Sequence, residues 1–275
     1  MGHALEVISC QATAPGASGA NAAAVAGNSL VVRDTRKPVR ILASWGFHQA
    51  NNGWFRLTSP LMHDAVVGIT QSRSNDTAAG PVGGVMVPPQ ELYAQDTLIA
   101  NIAGSATAGD IETDSFLVEY DDLPGVDGRY ISPDECAKRA VNIYESRFTL
   151  TLTGAGGYTG SEAVNADQDQ FKANTDYAWV GCNFNLPGST QGVTTFRMVA
   201  PDYGNLGIGM PCNVDMDQAQ DFWWHLSKIH GRPLIPVFNS ANKALTFISG
   251  IGNENAAGSF IGSMRFVQLA PRGRA

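Results

Sequence analysis

Charged side chains are scarce in this chain. Asp, Glu, Lys and Arg make up 16% of its 275 residues, against about a quarter in an average soluble domain. Its 44% hydrophobic content nevertheless excludes a disordered polyelectrolyte. Asn, Thr, Ser, Gln and Gly must therefore clothe much of the surface, a habit of subunits buried against neighbours and of secreted β proteins. Positive charge is scarcer still: 18 Lys and Arg against 25 Asp and Glu, a net charge of −7. The densest run, Arg33, Arg36, Lys37 and Arg40, is diluted by Asp34. Displacing counterions from nucleic-acid phosphates needs clustered cations, so no direct nucleic-acid contact is expected. That run reads as a solvated strand edge before Pro38, with a lipid-headgroup or anionic-partner contact as the alternative.

Cysteine is also sparse. Cys10, Cys136, Cys182 and Cys212 form no C-x-x-C pair, which excludes the common zinc and dithiol motifs. No window approaches the roughly 18 apolar residues of a membrane-spanning helix. The opening MGHALEVISCQATAPG has neither a basic nor a long apolar segment. The expectation is a protein made and folded in a cytoplasm, without disulfides. Catalytic motifs are missing too: there is no G-x-S-x-G elbow and no H-E-x-x-H. His225 and His230 lie five residues apart, about 140° around a helix, and cannot share a metal as an i,i+4 pair would. The glycines at 204, 207 and 209 and at 250 and 252 open into no helix, so they read as turns rather than phosphate loops.

What is present is a repetition. Residues 54–70, WFRLTSPLMHDAVVGIT, match residues 195–211, TFRMVAPDYGNLGIGMP, without a gap. Phe55, Arg56, Pro60 and Gly68 meet Phe196, Arg197, Pro201 and Gly209, and Leu57, Val67 and Ile69 meet apolar partners. Upstream, residues 40–49 resemble 177–186, with Phe47 and Phe184 at one offset. Downstream, residues 98–120 resemble 245–269. Three matches in one order, about 140 residues apart, make a duplication of one domain.

The chain in order reads as β structure. Alternating apolar positions mark strands near residues 4–11, 29–33, 40–47, 54–58, 97–102 and 116–120. Residues 12–28, 71–90 and 154–175 read as long loops. Ser132-Pro133-Asp134-Glu135 is a capping box, and apolar residues after it predict a helix over 133–146. Residues 147–153, RFTLTLT, open the second copy. A further helix is expected at 217–230, with Ala219, Phe222, Trp223, Leu226 and Ile229 on its apolar face and Gly231 ending it. The fold class is thus all-β: two tandem antiparallel β-sandwiches, jelly rolls by preference, with a linker helix and one helix in the second domain. The expected domains are 1–128 and 147–275, joined by a linker at 129–146.

Among candidate sites, Asp121, Asp122 and Asp127 could offer calcium several carboxylates from a turning loop. No other cofactor is expected. Trp45, Trp179 and Trp223 read as core, and Trp54 and Trp224 as the more exposed.

A duplicated β domain with a low-charge surface and no catalytic constellation resembles the double jelly-roll major capsid proteins of tailless icosahedral, membrane-containing bacteriophages. The resemblance is architectural and covers the whole chain. The helix at 217–230 resembles the one such barrels carry between their sixth and seventh strands, and the first half lacks a clear equivalent. The family implies a structural virion protein, not an enzyme, assembled in the host cytoplasm into homotrimers that form pseudo-hexagonal capsomers. Its partners would be further copies of itself, penton or minor capsid proteins, and an underlying viral membrane. Two other classes remain open: a carbohydrate-binding or carbohydrate-cleaving pair of sandwiches, and a tail or spike component.

Overall fold

The computed structural model describes residues 2–15, 30–35, 37–47, 53–62, 68–73, 82–103, 108–154, 156–185, 193–212, 217–252 and 257–272. Every strand pairing in it is antiparallel. In the first half, one sheet runs β1 (Ala4–Pro15), β8 (Ala108–Tyr120), β3 (Val39–Phe47), β6 (Val82–Leu92). The facing sheet runs β2 (Leu30–Val31), β7 (Thr97–Ala103), β4 (Gly53–Thr58), β5 (Ile69–Arg73).

The second half repeats both orders. Its larger sheet is β10 (Ala140–Leu152), β17 (Gly258–Leu269), β12 (Asp176–Asn185), β15 (Ile235–Asn239), extended by the short β9 (Tyr130–Ile131). Facing it are β11 (Thr159–Ala163), β16 (Phe247–Gly252), β13 (Val193–Val199) and β14 (Gly207–Pro211). Counting eight strands per half, both read 1-8-3-6 over 2-7-4-5, the strand order of a jelly roll.

Alternation explains the two cores. Phe55 and Leu57 of β4 turn inward with Phe116, Val118 and Tyr120 of β8. Phe196 and Met198 of β13 turn inward with Phe148, Phe260 and Trp179. The second core is the more aromatic: Phe148 stacks on Phe196 at 4.8 Å, and Trp179 meets Trp223 at 5.5 Å.

The repeat is real but not gapless. Arg56 pairs with Asn101 on β7 and Thr70 on β5, while Arg197 pairs with Ser249 on β16 and Gly209 on β14. Ile69 therefore corresponds to Ile208, and Gly68 to Gly207. The first copy holds two more residues in its turn. A slip of two leaves every side chain on its own face, so the alternating pattern conceals it.

Three expectations change. The helix over 133–146 is the shorter α1 (Pro133–Arg139), and Ala140 begins the thirteen-residue β10. Its start is as expected: the Glu135 amide donates to Ser132 Oγ at 3.2 Å. The exposed alternate positions of β10 suit a strand with one covered face, and pairing along β17 outweighs weak helical propensity. The helix at 217–230 divides into α2 (Asp217–Gln220) and α3 (Phe222–His230), with non-helical dihedrals at Asp221 between them. Gly231 ends α3 in the left-handed region, at φ 63°. Finally, the loops are shorter than expected. Residues 12–15 belong to β1, 82–90 to β6 and 159–163 to β11. The rest of the small-residue-rich arm, 16–28, lies outside the described residues.

Candidate functional site

In sheet β1-β8-β3-β6, strands β1, β8 and β3 carry buried side chains on both faces. Ala4 and Cys10 point into the first core, while Leu5 and Val7 point the other way, into a cluster shared with the second half. Phe116 and Val118 alternate in the same manner with Leu117. What lies over this second face is the outer face of β13 and β14. A side chain at Gly209 would stand 2.7 Å from Val7 Cγ1 and 2.9 Å from the Phe196 carbonyl. The absence of a Cβ lets the two sheets approach. At the corresponding position of the first copy, Thr70 is exposed.

Polar side chains fix the register of this contact. Trp45 Nε1 donates to Thr195 Oγ1 at 2.9 Å, and Ser115 shares a hydrogen bond with Thr195 at 2.6 Å. Ser9 is hydrogen-bonded to both Ser115 and Tyr158, each at 2.7 Å. Gln11 Nε2 donates to the Gly252 carbonyl at 2.7 Å. Hydroxyl pairs supply directional contacts without requiring a charge to be desolvated.

An ion cluster closes one end. Glu119 has no exposed side-chain surface, and it takes Arg232 Nε at 2.7 Å, His3 Nε2 at 2.9 Å and Arg40 Nη1 at 3.4 Å. Arg40 and Arg232 also clasp Asp121. Arg232 follows α3, so the cluster joins the two halves. Burial alone would raise the Glu119 pKa, but the His3 hydrogen bond and the Arg232 charge leave it below the usual carboxylate value. At Asp121 the hydrogen bond from Arg40 is the largest effect and the pKa is again lowered, with Arg232 adding to it.

The acidic candidates are thus not brought together as a metal site. Asp121 is occupied by two guanidinium groups, Asp122 accepts the Gly2 amide at 3.4 Å, and Asp127 is exposed. Among the described residues, no group of three or more His, Cys, Asp or Glu side chains is placed to hold a metal ion. The basic run divides: Arg33 forks onto Glu6 and Arg40 joins the ion cluster, leaving Lys37 exposed. Arg36 lies outside the described residues. Trp45, Trp179 and Trp223 are core, 2%, 0% and 0% exposed. Trp224 is half-buried, with Lys228 Nζ 5.5 Å from its ring, and the Trp54 side chain lies outside the described residues. His230 Nε2 donates to the Leu42 carbonyl at 3.2 Å.

Glu119, Arg232, His3 and Thr195 were not singled out by motif. A signal for Glu119 was available: residues 116–120, FLVEY, are apolar on both strand faces except there, the pattern of a strand buried on both sides.

No family model matches the chain, and no curated protein matches it. Among solved structures it is similar to the PBSX exported protein XepA at 8% identity, with 86% of this chain and 84% of that one covered and a TM-score of 0.22.

Proposed function

We propose that this protein is a structural shell subunit, the major capsid protein of a tailless icosahedral virus, assembling as trimers into pseudo-hexagonal capsomers. The observation carrying this reading is the head-to-tail stacking of two sandwiches with one strand order. Inside the chain, the larger sheet of the first sandwich lies on the smaller sheet of the second. Among the described residues, one outer face of either kind stays uncovered: that of β2-β7-β4-β5, and that of β10 and β17. Unlike faces that meet repeatedly form a ring when the rotation closes. Three chains would bring six sandwiches into such a ring.

Both uncovered faces carry exposed apolar side chains, Ile99 at 43% on the first and Val141 and Ile143 at 58% and 61% on the second. These are the groups such a contact would bury. The low charge content favours the same use, because few ions need desolvation on assembly. Penton partners and an underlying membrane belong to the same proposal.

Light scattering of the native protein, with electron micrographs of the same sample, tests it. The expected result is a mass of three chains with pseudo-hexagonal outlines or closed shells. A stable monomer at all concentrations refutes it and turns attention to glycan binding. An oligomer that never closes points to the tail or spike class.

A further inference from the structure

Arg33, Arg40, Arg129, Arg139, Arg232 and Arg265 each rest on a carboxylate. Arg197 does not. It projects from the outer face of β13 into the junction between the sandwiches, half-buried, with its Cζ 3.5 Å from the centre of the Tyr158 ring. Its Nε donates to Ser249 Oγ at 3.1 Å, its one hydrogen bond among the described residues. The aliphatic stem lies across Gly207, where a Cβ would stand 3.0 Å from Arg197 Cδ. Glu6, a carboxylate close enough to act on it electrostatically, is engaged by Arg33 and by the Tyr120 hydroxyl.

A guanidinium carries five N–H donors and stays charged at every physiological pH. Here one donor is used. The ring of Tyr158 offsets part of the desolvation through its π face but accepts none of the four remaining N–H bonds. Burial pulls the Arg197 pKa down, whereas a carboxylate hydrogen bond lifts that of Arg33, Arg40 and Arg265. The duplicate position makes the contrast sharper. Arg56 meets the amide oxygen of Asn101, an acceptor for its Nη2 at 3.2 Å, where the second copy offers only the smaller Ser249 to the Nε.

From this geometry we infer that Arg197, with Tyr158 and Ser249, forms an oxyanion-binding site at the junction of the two sandwiches. The ligand is a phosphate or carboxylate group accepting from the Nη edge in the two-pronged manner that guanidinium favours. Its source is either a free anion or an acidic side chain of another copy of the chain. The inference does not rest on the capsid reading.

Isothermal titration of the full chain with inorganic phosphate, in dilute chloride buffer, tests it, alongside the native mass of each variant. The wild type is expected to bind one phosphate per chain. Arg197→Lys keeps the charge without the fork and should bind about tenfold more weakly; Arg197→Gln should not bind. Binding lost with mass unchanged identifies a free anion. A mass lowered in Arg197→Gln but kept in Arg197→Lys identifies a carboxylate from a neighbouring copy. If neither phosphate binding nor mass depends on residue 197, with both variants folded by circular dichroism, the site does not exist.

Discussion

Glu119→Gln probes the junction most directly. The substitution keeps the shape of the side chain and removes the charge that Arg232, His3 and Arg40 share at 2.7, 2.9 and 3.4 Å. Asp121 alone then faces the guanidinium groups of Arg40 and Arg232. Breaking a buried ion pair costs about 3–5 kcal/mol. Because Gln retains hydrogen-bonding capacity, the lower end applies, about 3 kcal/mol. For a chain of this length that corresponds to a fall in Tm of about 6–12 °C. Calorimetry at neutral pH measures it. Acid supplies the second arm. The folded-state pKa values of Glu119 and Asp121 are lowered, so their stabilisation is complete above the ordinary value of 4.5 for Glu119 and is lost as the pH falls through the depressed values. The gap between wild type and Glu119→Gln should therefore close as the pH drops below 4.5. A loss under about 1 kcal/mol, the value for an exposed pair, refutes the reasoning. So does a gap that ignores pH.

Two further outcomes follow from packing. Gly209→Ala should destabilise by about 1–3 kcal/mol, because its methyl group meets Val7 and the Phe196 carbonyl across the sheet contact; an unchanged urea midpoint would show that the sheets do not approach there. The thiols of Cys10, Cys136, Cys182 and Cys212 are buried and outside any disulfide, and burial raises the Cys136 pKa to about 11. Native protein at pH 8 should react with an aromatic disulfide reagent over hours, and all four thiols within seconds after unfolding. Rapid native labelling of any of them contradicts the packing described.

Much of the fold was legible because a strand's side chains alternate with a period of two. Phe55 with Leu57, and Phe196 with Met198, declare their inner faces without help from the rest of the chain. Ser132 as N-cap and Gly231 as C-cap are local chemistry and were readable for the same reason. The helix end at Arg139 was not, since Val141 and Tyr144 fit a helix face as well as a strand and only pairing with β17 decides between them. The two-residue difference between the turns stayed hidden because an even slip preserves every face.

What the sequence by itself determined is the pair of all-β sandwiches and the residues that fill each core. The tertiary structure decided which outer face is also an interior. Leu5, Val7, Leu117 and Gly209 belong to a second buried layer because another sheet lies over them, while Thr70, built into the equivalent strand, is exposed. Alternation tells a strand that it has two faces. Whether the second meets water or a neighbouring sheet depends on residues more than a hundred positions away, and the ion cluster around Glu119 exists only where those distant segments meet.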